Sequence, residues 1–130
     1  MPTMVTDNWE GVRANNRAAE DPSWEDVERA IRALDGRHHT QVMIQQLDHS
    51  NLLVGGGGGR YNVCVTTVDE NFLTLEDPTK AEQATEELVA GGQRGEYPAR
   101  TVVDLTAALR AAREFFDNGV ASDALNWIED

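Results

Sequence analysis

From residue 39 to residue 76 the chain is a succession of short apolar segments separated by links too short to hold a helix. Thr40–Leu47 and Asn51–Val54 are split around Asp48-His49-Ser50-Asn51, residues whose short polar side chains bond the local backbone and favour turns. Arg60–Val68 then alternates, with Tyr61, Val63, Val65 and Thr67 on one face and Asn62, Cys64, Thr66 and Val68 on the other, the period of a strand. Asp69-Glu70-Asn71 reads as a hairpin turn and Phe72–Glu76 as the next strand. Parallel neighbours need a crossover of about a dozen residues or more, so links this short predict an antiparallel meander.

Helical signals bracket this stretch. Ser23, with Asp26 three residues on, is an N-cap and close to a capping box. Trp24, Val27, Ile31 and Leu34 follow at spacings of three and four, and Asp35-Gly36 supplies the stop. A helix over 23–34 is predicted. Asp104 opens a second one, in which Leu105, Leu109, Ala112 and Phe116 form the apolar stripe and Asn118-Gly119 the end, giving a helix over 105–117.

The remainder is less patterned. Residues 1–22 show no sustained period and read as a loosely ordered arm. Residues 79–87 read as loop or weak helix, Leu88-Val89-Ala90 as a short strand, and Glu96–Val103 as an edge strand carrying Pro98. The tail Ser122–Asp130 reads as a short turn that tucks Trp127 against the sheet or the last helix. The expected architecture is α+β: four to six antiparallel strands with an N-terminal and a C-terminal helix on one face. Residues 23–130 are expected to form a single domain, a size that suits 130 residues in all.

Charge narrows the function. Eleven Lys and Arg against 23 Asp and Glu leave a formal charge of −12, which argues against binding nucleic acid or an anionic membrane. No apolar run approaches a membrane span, and the amino terminus lacks the basic and apolar regions of a secretion signal. A soluble cytoplasmic protein is expected.

Residues that could carry chemistry read as structure. Gly55–Gly59 is followed by Arg60 and a strand, whereas phosphate loops and dinucleotide fingerprints lead into a helix. Five glycines instead suggest a hairpin tip or bulged strand end where backbone closely approaches another strand or a partner. His38, His39 and His49 match no metal-ligand spacing. Cys64 lies mid-strand as a small hydrophobe, and Ser23, Ser50 and Ser122 read as caps or turns. Neither an enzyme nor a cofactor is expected.

The acids are clustered. Asp69, Glu70, Glu76, Asp77, Glu82, Glu86 and Glu87 are opposed in sequence by Lys80 alone. Such a run is either a solvated face or a docking surface for a basic partner, where complementary charge speeds association.

The joint order of several segments resembles the first-numbered immunity-protein family of bacterial polymorphic toxin systems. These are the helix ending Leu34-Asp35-Gly36, Leu52-Leu53-Val54-Gly55-Gly56-Gly57 before Arg60-Tyr61-Asn62-Val63, and Gly91-Gly92 with Tyr97-Pro98. They continue with the helix 107–116 carrying Ala-Arg-Glu-Phe-Phe, then Gly119, and Leu125-Asn126-Trp127. The resemblance implies an α+β domain that binds and neutralises a cognate toxin, encoded by the adjacent gene, with deaminase-type toxins among the partners. The expected contacts are the seven acids, with Arg60 beside the glycines and Phe72, Tyr97 and Trp24 as apolar anchors; Trp24 also fits a helix core. The alternative is a small-molecule or peptide-binding accessory domain using the glycine run as a lid.

Overall fold

In a computed structural model, residues 2–129 are described; Met1 and Asp130, the outer ends of the expected arm and tail, lie outside the described residues. Strands β1 (Thr3–Glu10) and β2 (Arg13–Glu20) come first, then helix α1 (Trp24–Arg32). The meander follows as β3 (Gln41–Gln45), β4 (Asn51–Gly57), β5 (Arg60–Thr66) and β6 (Phe72–Glu76). A ribbon of β7 (Thr85–Ala90) and β8 (Gln93–Pro98) leads through a 3-10 turn to helix α2 (Leu105–Asn118) and strand β9 (Asn126–Glu129).

Both helices start and stop where their side chains dictate. Ser23 Oγ accepts the Asp26 amide at 3.1 Å while the Asp26 carboxylate accepts the Ser23 amide at 3.1 Å, a reciprocal capping box. Asp104 accepts the Ala107 amide at 2.9 Å, and Gly119, at φ 71°, ends α2 in the left-handed region. Ser23→Ala is expected to cost about 1 kcal/mol in thermal denaturation, the usual value of a side-chain cap.

The fold is α+β, with an antiparallel seven-stranded sheet in the order β2-β1-β3-β4-β5-β6-β9 and a separate two-stranded sheet of β7 and β8. The count exceeds the expected four to six because residues 3–20 are not a loose arm. Strand β1 pairs with both β2 and β3, in the register Met4 opposite Ile44. The helix expected to be N-terminal therefore follows a hairpin. The tail also departs from expectation: Asn126–Glu129 pairs with β6, satisfying an edge whose backbone groups would otherwise stay open.

Alternation puts Met4, Ile44, Leu52 and Val65 in one cross-strand row, with Val42, Val54 and Val63 beside them. These pack with Val27 and Ile31 of α1 and Ala108, Ala111, Ala112 and Phe115 of α2 into one buried core. Burying a Val, Leu, Ile or Phe side chain contributes about 1.5–3 kcal/mol. On the opposite sheet face the row Ala18–Val5–Met43–Leu53–Cys64–Thr74–Ile128 crosses all seven strands. The β7–β8 ribbon covers one end of that face, where Gly55 lies against Ala90.

The glycine run belongs to strand as much as to turn. Gly55, Gly56 and Gly57 pair with Asn62, Tyr61 and Arg60, leaving Gly58-Gly59 as the tip. The close backbone approach expected of them is to the chain itself, since Asp35 bridges Gly57 in the segment after α1.

Candidate functional site

The seven acids of the 69–87 stretch do not form one surface. Strand β6 separates Asp69 and Glu70, in the β5–β6 turn, from Glu76 at its far end, about 13 Å away at a strand's rise. From Glu76 onward, four of the five acids meet cations, Lys80 from within the stretch and three arginines from other segments. Arg100 reaches Glu82 at 2.9 Å and Glu76 at 3.9 Å. Glu86 meets Lys80 at 2.7 Å and Arg60 at 3.7 Å, and Glu87 meets Arg94 at 2.9 Å. Lys80 also donates to Val102 O at 2.7 Å. These contacts help fasten the ribbon to the sheet, so most of this charge has a structural counterpart. Asp69 and Glu70 form no ion pair among the described residues.

The anchors also separate. Phe72 is 55% exposed on the face opposite the core. Tyr97 is half-buried on the ribbon, paired with Glu86. Trp24 packs between the helices, its ring 5.9 Å from Phe116 with the Arg113 guanidinium 5.1 Å above it. Two of the histidines, His38 and His39, fasten β1 to the segment before β3. His38 Nδ1–H donates to Trp9 O at 2.8 Å and His39 Nδ1–H to Asp7 O at 2.9 Å, and the carbonyl acceptors place the proton on Nδ1. Cys64 is half-buried, its Sγ 3.3 Å from Asn62 Oδ1.

Three turns distant in sequence build a concavity of about 970 Å³. Its walls are the β3–β4 turn, the β5–β6 turn and the loop from α2 to β9, with Val65, Leu73, Phe116, Leu125 and Trp127 as apolar lining. Leu47, Val68 and Val120 line it as well, yet are 77%, 59% and 49% exposed. Asp48, Asp117 and Asp123 complete it, and neither lysine nor arginine lines it. Sequence reasoning reached only its neighbours, Asp69 and Glu70, which directly follow Val68. The missed signal was a bulky aliphatic beside each turn: Leu47 before Asp48, Val68 before Asp69 and Val120 after Gly119.

Near the glycine run lies a smaller depression of about 410 Å³, lined by Asp35, Gly57, Arg60, Glu87 and Arg94 among others. Gly57 is part of its wall and is held in β4, so the lid expected in the alternative reading would have to be the Gly58-Gly59 tip alone.

Several carboxylates are held in their charged form by fixed donors. Burial pushes the Asp35 carboxyl up, but the amides of His39, Arg37 and His38 outweigh it and hold its pKa low. The Ser50 hydroxyl and amide do the same for Asp48, and those of Thr79 for Asp77. Each folded pKa lies below its unfolded value, so the stabilisation is complete above the unfolded pKa and is lost as pH falls through the folded one. Thermal melts should therefore show Tm declining below about pH 4, with a shallower decline in Asp35→Asn.

No helix in the described residues is long and apolar enough to cross a membrane. An α+β domain with an open, apolar, acid-rimmed concavity has the makings of a protein-binding module. The family model of immunity protein Imm1 matches residues 15–129, and the chain belongs to this immunity-protein family. Comparison with curated proteins finds no match. The resemblance read from the ordered segments is thereby shown, and membership implies a toxin-neutralising role with a cognate toxin as partner.

Proposed function

We propose that this chain protects the producing cell by binding a basic, nucleic-acid-targeting toxin, of the deaminase type, in the cytoplasm and covering its substrate groove with an acidic surface. The observation that carries the reading is the net charge of −12 on a member of an immunity family. A toxin that works on nucleic acid must attract a polyanion, and an acidic inhibitor is drawn to the same field. Inhibition is steric and needs neither catalysis nor cofactor. Asp69 and Glu70 enter such a contact with their charge uncompensated, beside Phe72. Glu76, Asp77, Glu82, Glu86 and Glu87, with Arg60 and Tyr97, would add a second region whose charge is already partly balanced.

Co-expression tests the reading directly. The toxin domain encoded by the adjacent gene should arrest growth alone, and growth should return when this chain is present, with a complex that co-purifies. Association should slow steeply as salt rises, because screening shortens the reach of the attraction. Continued arrest without a complex would overturn the reading. A toxin that cleaves nucleic acid instead of deaminating it would remove only the deaminase assignment.

A further inference from the structure

We propose that the groove between the β3–β4 turn, the β5–β6 turn and the α2–β9 loop is the seat of the toxin, and that it takes a toxin segment carrying an apolar side chain beside an arginine or lysine. The inference rests on the proposed immunity function and names the part of the surface that performs it.

Three observations converge there. First, of the five large hydrophobic side chains that are exposed among the described residues, Leu47, Val68 and Val120 line this one concavity. Clustered exposed aliphatics around an apolar lining mark a surface that a partner desolvates. Second, the charge around it has one sign. Asp48, Asp117 and Asp123 line it, Asp69 and Glu70 follow Val68 in the adjoining turn, and among the described residues no cation lines it. Within the described residues only Asp117 of these is ion-paired, to Arg113 at 2.8 Å. Third, the C-terminal end of α2 contributes residues 116–118 to the wall, and its last turn contains no basic residue. A helix C-terminus carries partial negative charge and is normally complemented by cations. Here the Gln46 amide bonds Phe115 O at 2.8 Å, a neutral partner that leaves the dipole's charge in place.

The occupant must therefore match an apolar lining and a negative rim. A second copy of this chain would bring a surface of net charge −12 against the same acids. The open face of the sheet is a weaker seat, because Val5, Met43, Leu53 and Ile128 are half-buried there and the ribbon already covers one end.

The test uses the adjacent gene's toxin domain, made inactive by substitution, titrated with the full chain. A triple variant, Leu47→Ser, Val68→Ser and Val120→Ser, alters exposed side chains and should keep its Tm within a few degrees. It is expected to lose at least 100-fold in affinity and to stop rescuing growth. Asp69→Lys with Asp123→Lys should lower affinity about tenfold or more and flatten its salt dependence, while Glu10→Lys, at the end of β1 away from the groove and outside both contact regions, should change it less than threefold. Unchanged affinity in the triple variant of a well-bound wild type would overturn the groove assignment and leave the immunity reading standing. Absence of wild-type binding would overturn both. Self-association of the wild type, abolished in the triple variant, would assign the groove to a second copy instead.

Discussion

Asp7→Ala is expected to lower the unfolding free energy by roughly 3–5 kcal/mol, because one buried carboxylate accepts four hydrogen bonds, each contributing about 1 kcal/mol, and leaves buried donors unsatisfied when removed. Asp7 is 4% exposed. Its carboxylate accepts the Thr40 amide at 2.7 Å, the Gln41 amide at 3.0 Å, the Trp9 indole N–H at 2.8 Å and the Thr40 hydroxyl. The Thr40 hydroxyl in turn accepts the Gly92 amide at 2.9 Å. One side chain thus joins the first hairpin, the start of β3 and the β7–β8 turn. Alanine leaves the donors of fully buried Thr40 without this acceptor. Asn should be little better, because its amide nitrogen would face donors in place of one carboxylate oxygen.

Urea denaturation gives the size of the effect, and hydrogen exchange its location. The Thr40 and Gly92 amides should lose protection in Asp7→Ala before the core of the sheet does. Thr40→Val removes only the hydroxyl link and should cost about 1–3 kcal/mol. Because both changes break the same network, the double variant should fall short of the sum. A loss below about 1 kcal/mol for Asp7→Ala would mean that His38 and His39 hold the hairpin by themselves.

Asp7 also explains why the first hairpin was illegible. Arg13-Ala-Asn-Asn-Arg-Ala-Ala-Glu20 has neither an apolar alternation nor β-branched residues, and it is an edge strand exposed along nearly its whole length. Its pairing comes from backbone bonds and from contacts that β1 makes more than thirty residues away. Local pattern carries none of that. Both helices were legible because cap and stripe lie within one segment. The meander was legible because one buried face imposes alternation.

The candidate site divides in the same way. The acidic stretch was visible as a count along the chain, but the arginines that meet its glutamates come from elsewhere, Arg60 from β5, Arg94 from β8 and Arg100 from the 3-10 turn. The groove is assembled from residues 46–50, 65–73 and 116–127. No window of sequence contains two of its three walls together with the helix end.

The glycine run supplies the second large expectation. Gly57→Ala should destabilise by roughly 3–5 kcal/mol, combining backbone strain with overpacking. Gly57 sits at φ 147°, and an added Cβ would lie 2.5 Å from Gly36 N and 2.6 Å from Asp35 N. These are backbone atoms, fixed by the bridge between Asp35 and Gly57, and they cannot swing aside. Gly58, at φ 65° with nothing near its absent Cβ, should lose only about 1–2 kcal/mol on becoming alanine, the ordinary left-handed penalty. Gly55 gives the sharper check. Its added Cβ would lie 2.6 Å from Ala90 Cβ, a side-chain atom that can be removed. Gly55→Ala should cost about 1–3 kcal/mol, and adding Ala90→Gly should restore most of it despite the entropy of a new glycine in β7. Rescue at Gly55 with none at Gly57 would show that the run is specified by backbone contacts within the chain. Failure of the Ala90→Gly rescue would mean that the ribbon does not rest on the sheet at this point.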